Sequence, residues 1–96
     1  MQKRNAQIEC INKVDRFNPW DRITHVGGST GRNWKITQQQ AIAFIENGEW
    51  DFWVEVPNGD SVWVVVTTSP YGNKFIKTQS DGDSPNNLLS LPECPW

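Results

Sequence analysis

The stretch Glu49–Val66, EWDFWVEVPNGDSVWVVV, limits the fold more than any other part of the chain. Its two apolar halves must pair, and the register of pairing decides which side chains share a face. Two turns compete. A two-residue Asn58-Gly59 turn would set Val56 opposite Ser61 and Val54 opposite Trp63, mixing both faces. A three-residue loop, with Pro57 and Asn58 in a type I turn and Gly59 in the left-handed bulge position, pairs Val56 with Asp60, Val54 with Val62 and Phe52 with Val64. Proline favours the first central position of a type I turn and glycine the bulge. The second register also sorts the residues. One face carries Trp50, Phe52, Val54, Val56, Val62, Val64 and Val66; the other carries Asp51, Trp53, Glu55, Ser61, Trp63, Val65 and Thr67. Turn chemistry and pattern agree, so this register is expected, with Trp53 directly opposite Trp63.

The same logic applies to Ser69-Pro70-Tyr71-Gly72. Pairing Ser69 with Asn73 brings Ile76 beside Val66 on the first face, and puts Phe75 beside Thr67 and Lys77 beside Val65 on the second. A strand over about 73–78 follows. Upstream, Ile8, Cys10 and Val14 recur with short-range alternation, with Ile11 and Phe17 on the opposite parity, and predict a strand over roughly 7–16. Asn18-Pro19-Trp20-Asp21 reads as a turn, and Arg22–Val26 as a second strand antiparallel to the first. Gly27-Gly28-Ser29-Thr30-Gly31 reads as a flexible loop. Thr37 and Gln40 make a capping box, Ala41, Ile42 and Ile45 line one helical face with Phe44 at its margin, and Gly48 ends the helix, which spans about 38–47. Residues 1–6 are expected to be a frayed tail, and 79–96 an irregular segment packing back on the sheet or helix through Leu88, Leu89 and Leu91. The whole is one α+β domain, β-β-α-β-β-β, with a mainly antiparallel sheet and the helix on one face.

Ninety-six residues suffice for one modest core, and six Trp and four Phe offset an apolar fraction of 36%. A net charge of −2 and a pI near 5.2 lack the basic footprint of a phosphate-backbone binder. No run reaches the length of a membrane span, and the polar opening MQKRNAQIEC predicts no secretory signal, which makes the cytoplasm the expected compartment. Cys10 and Cys94 could tie the two ends together, but a reducing cytosol favours two free thiols. With His25 as the sole histidine and no CxxC spacing, neither a metal site nor a cofactor is expected.

Each candidate for chemistry has a plainer competitor. The loop Gly28, Ser29, Thr30 and Arg32 could cradle phosphate, but no GxGxxG or Lys-Ser/Thr motif is present, and five residues separate Gly31 from the cap at Thr37. A connecting loop is the better expectation. Asp81-Gly82-Asp83 resembles the start of a calcium loop but lacks its central Gly and closing Glu. Asp51 and Glu55 share a face but lie roughly 13 Å apart along a strand, too far for a close acid–base pair. His25 has no nucleophile motif near it and reads as structural or surface. No catalytic constellation can be named, and the chain is expected not to be an enzyme.

Several separated pieces fit a known pattern: Ile23 with Val26-Gly27-Gly28, Trp34, Gln40-Ala41-Ile42 with Ile45-Glu46 and Gly48, Lys77-Thr78, and above all Pro85-Asn86-Asn87-Leu88-Leu89-Ser90-Leu91-Pro92-Glu93-Cys94. Together they resemble a family of small bacterial proteins catalogued as a domain of unknown function, DUF3892. The resemblance spans about 8–95 and implies a bacterial or phage origin and a cytoplasmic single domain. It implies no activity, cofactor or catalytic residue, and Trp63 stands outside its pattern.

The expected function is therefore a non-enzymatic binding module. Its sheet face around Trp53 and Trp63, with Phe75, Lys77, Asp51 and Glu55, would contact a protein partner or a second copy of the chain. The alternative is a single-stranded nucleic-acid or nucleotide binder that stacks bases on these aromatics, against which the acidic pI weighs. A weaker alternative is a phage-encoded inhibitor of a host protein. Cover by the carboxy-terminal leucines would leave the Trp pair purely structural.

Overall fold

The computed structural model describes residues 4–15, 22–29, 31–56, 59–79 and 86–96. Among these residues the chain runs β1 (Arg4–Gln7), β2 (Cys10–Lys13), β3 (Ile23–Gly28), β4 (Trp34–Thr37), α1 (Gln38–Glu46), β5 (Trp50–Glu55), β6 (Ser61–Thr68), β7 (Lys74–Thr78) and α2 (Asn86–Leu89). It is a small α+β domain. One sheet has the order β1-β5-β6-β7 and the other β2-β3-β4.

Both hairpins take the register that their turn chemistry predicts. Val56 N–H donates to Asp60 O at 2.9 Å and Gly59 N–H to Val56 O at 2.8 Å, with Gly59 at φ +92°. Val54 then pairs with Val62, and Trp53 with Trp63. Pro57 and Asn58 themselves lie outside the described residues. At the second turn Ser69 N–H donates to Asn73 O, and Thr67 pairs with Phe75, Val66 with Ile76 and Val65 with Lys77.

The amino-terminal half departs from expectation in three places. The single strand over 7–16 is two strands, and Arg4–Ala6, read as frayed, belong to the first of them. β1 lies parallel to β5, Ala6 opposite Phe52, and Ala6 is buried. Its largely polar residues gave no apolar alternation to read. The break between strands follows from backbone bonding: Ile8 N–H donates to Trp53 O while Glu9 N–H donates to Gly27 O. Adjacent residues thus bond opposite neighbours, and the chain passes from β5 to β3. Gly27 and Gly28 are strand residues rather than loop, paired with Lys35 and Trp34 of the unexpected β4. A Cβ on Gly27 would come within 2.6 Å of Trp34 O, and one on Gly28 would collide with Gln7 O. Glycine is needed here for close approach of backbones. The turn expected at Asn18–Asp21 lies outside the described residues.

α1 forms as its sequence directs. Gln40 N–H donates to Thr37 Oγ1 at 3.1 Å, Thr37 N–H donates to Gln40 Oε1 at 2.9 Å, and Gly48 takes φ +73°. Its first residue, Gln38, is buried and holds two strands. Gln38 Nε2 donates to Ile23 O of β3, and its Oε1 accepts from Ile76 N–H of β7, each at 3.2 Å. One side-chain amide thus satisfies a donor and an acceptor from different sheets. The core gathers Ile8, Ile11 and Val26, Ala41 of α1, Phe52, Val54, Val64 and Ile76, and Leu88 of α2.

The carboxy-terminal segment closes this core. Leu88 is fully buried, Leu89 and Leu91 pack against the cluster, and Asn87 Nδ2 donates to Thr78 Oγ1 at 2.8 Å. Ile11 N–H donates to Pro92 O and Cys94 N–H to Ile11 O, each at 3.0 Å. This short parallel bridge lays Cys94 beside β2, and the two cysteines form a disulfide across a Cα separation of 4.8 Å. The expectation of free thiols is corrected. It rested on compartment, whereas backbone pairing around Ile11 brings the sulfurs together. Among the described residues no helix is long and apolar enough to cross a membrane.

Candidate functional site

Strand alternation gives β5 two different faces. Outward, Trp53 sits opposite Trp63. The registers of both hairpins set Asp51, Val65 and Lys77 in the next row across the sheet. Trp63 is 46% exposed, Trp53 is half-buried, and the two border a depression of about 220 Å³ with Ser61 and Val62. Glu55 is exposed at the hairpin end, while Asp51 and Lys77 are half-buried. Lys77 Nζ donates to Thr78 O at 3.4 Å.

Phe75 must be removed from this accessible set. It holds the expected place beside Thr67, yet it is only 3% exposed. Thr67 and Lys77, its neighbours on the same face, are half-buried. The outer face is therefore covered toward β7 and open at Trp63. The carboxy-terminal leucines are not that cover for the Trp pair, because Leu88 packs with Val64 and Ile76 on the inner side.

The residues proposed as a phosphate loop do not act together. Gly28 ends β3 with no space above it. Ser29 N–H and Oγ both donate to Glu9 Oε2 at 2.6 Å, so an internal carboxylate already takes the donors an anion would need. Thr30 lies outside the described residues, as does Asp81-Gly82-Asp83. Arg32 is exposed and faces elsewhere, into an aromatic cleft.

That cleft is the feature the sequence did not disclose. It lies on the inner side of β5, at the mouth of the core, with a volume of about 350 Å³. Trp50 and Phe52 of β5, Trp34 and Ile36 of β4 and Phe44 of α1 form its walls. The Trp50 and Phe52 rings stack at 6.4 Å with 13° between planes, and Trp34 meets Phe52 at 5.9 Å and 35°. The Arg4 guanidinium stands 5.7 Å from the Trp50 ring centroid, within cation–π range. Gly28 seats the Trp34 indole: a Cβ there would lie 3.1 Å from Cζ2 and Nε1 of the ring. Trp34 and Trp50 are both half-buried. Sequence marked Trp50 and Phe52 as core; only the unexpected β4 brings Trp34 and Arg32 against them.

His25 Nδ1 lies 2.9 Å from Thr24 Oγ1 on β3. Among the described residues no group of three or more His, Cys, Asp or Glu side chains could hold a metal ion. Residues 7–92 match the model of a family described as "Protein of unknown function (DUF3892)". Comparison with curated proteins and with solved structures gave no match.

Proposed function

We propose that this chain, which belongs to the DUF3892 family, is a non-catalytic interaction module that pairs with a second copy of itself through the outer face of β5 and β6. The observation that carries the proposal is Trp63, 46% exposed beside its cross-strand partner Trp53. Cross-strand aromatic pairing alone contributes roughly 0.2–1 kcal/mol, which gives little reason to leave so large an apolar surface in water. A second copy suits a patch that is small, apolar and open only at Trp63: a two-fold axis through that end of the face would set the exposed Trp63 of one copy against that of the other, clear of the covered β7 side.

Sedimentation velocity over a wide concentration range tests this. A concentration-dependent dimer is expected for the native chain, and a monomer with unchanged circular dichroism for Trp63→Asp. A native chain that stays monomeric at the highest concentration sinks the proposal. Salt-sensitive binding of a single-stranded oligonucleotide, lost in Trp53→Ala, would replace it with base stacking on the same pair. Asp51, Glu55 and a net charge of −2 weigh against that outcome.

A further inference from the structure

We infer that the cleft between β4, β5 and α1 is a binding site for a small aromatic acid: one planar ring held by Trp34, Trp50 and Phe52, with its anionic group at Arg32. This surface lies on the opposite side of β5 from the Trp53–Trp63 pair, so the inference is independent of self-association.

Size comes first. The cleft, about 350 Å³, falls at the lower end of the roughly 300–1,000 Å³ typical of small-ligand sites. It is an open gap at the edge of an otherwise packed core, and its lining forgoes the dispersion contacts that a filled interior supplies. Phe44 and Ile36 bound it, and both pack against the core, so the chain brings bulky apolar groups to the gap without closing it.

The walls are also fixed before anything binds. Trp34 is seated over Gly28, where any side chain would displace the indole. Trp34 O accepts from Trp96 Nε1 at 3.1 Å. Trp50 is braced by the near-parallel Phe52 ring on one side and by the Arg4 guanidinium. Preorganised aromatic surfaces hold a planar ring at little entropic cost.

Charge then selects the substituent. The chain is acidic overall, yet among the described lining residues the charged side chain is Arg32, with Arg4 close by at Trp50 and no carboxylate. An arginine at the rim of an apolar cleft matches a carboxylate in shape and charge.

The probes are phenylacetate and its neutral isostere phenylacetamide, titrated into the native protein by NMR with the indole N–H signals assigned by single Trp→Phe variants. Phenylacetate is expected to shift the signals of Trp34 and Trp50 and leave that of Trp63 in place. It should bind about two- to fivefold more tightly than phenylacetamide, the range an exposed charge pair supports. Arg32→Gln, at an exposed position that leaves the fold intact, should remove this difference and keep the affinity for phenylacetamide. An unchanged indole spectrum of the free variant verifies its fold. The inference is overturned if about 10 mM phenylacetate, enough to register a millimolar affinity, moves neither indole. It is equally overturned if Trp53 and Trp63 respond instead, or if acid and amide bind alike.

Discussion

Trp50 and Trp53 are three residues apart on one strand and live in different surroundings. Trp50 stacks on Phe52, lies under Arg4, and forms one wall of a cleft at the mouth of the core. Trp53 faces the other way, opposite Trp63 on β6, where Trp63 is 46% exposed. Composition cannot separate them. Strand alternation does, and which β6 side chains join each of them depends on the hairpin register: inserting or removing one residue at Pro57–Gly59 would exchange the surroundings of every side chain beyond it. Aromatic content therefore says little about binding until the turn that sorts it is known.

The contrast can be broken by measurement. Phe52→Ala removes a ring that is 3% exposed and touches both Trp34 and Trp50. A loss of about 3–5 kcal/mol in urea unfolding is expected, because the cavity cannot collapse against two neighbouring rings. Gln38→Leu comes next. It keeps the volume but leaves Ile76 N–H and Ile23 O without partners in the interior, for about 1–3 kcal/mol, and amide exchange at Ile76 should accelerate by more than global unfolding accounts for. Trp63→Ala should be the mildest, below about 1 kcal/mol, with an unchanged unfolding slope. If Trp63→Ala cost as much as Phe52→Ala, the outer face would be a second core and the distinction would collapse.

The stretch from Thr37 to Thr78 was legible because its signals are local, whereas 86–89, expected to be irregular, form the short helix α2. The capping box at Thr37 and Gln40, the bulged turn at Gly59 and the turn at Gly72 each act within a few residues, and periodicity did the rest. The amino-terminal third was not. β1 is a polar strand held by parallel pairing to residues more than forty positions away, and nothing in Arg4–Gln7 announces that. β4 is short, and its apolar residues Trp34 and Ile36 follow a glycine-rich stretch that reads equally well as loop. Missing β4 meant missing the cleft, since Trp34 and Arg32 reach Trp50 only through it. The disulfide went unread for a related reason. Pairing of Ile11 with residues 92–94 has a sequence separation of some eighty positions and no compositional mark.

The placement of Leu88 also bears on how the chain acquires its structure during synthesis. Leu88 fills the centre of the core, and residues 92–94 bond along β2, yet all of them leave the ribosome after every strand has been made. A chain that extends only as far as β7 carries both sheets' sequences but lacks Leu88 in the core and any partner for the Ile11 backbone N–H and C=O. Its strands wait with an open apolar hollow and an unpaired edge, the two features that invite association with other chains. Closure of the core therefore waits on residues 88–94.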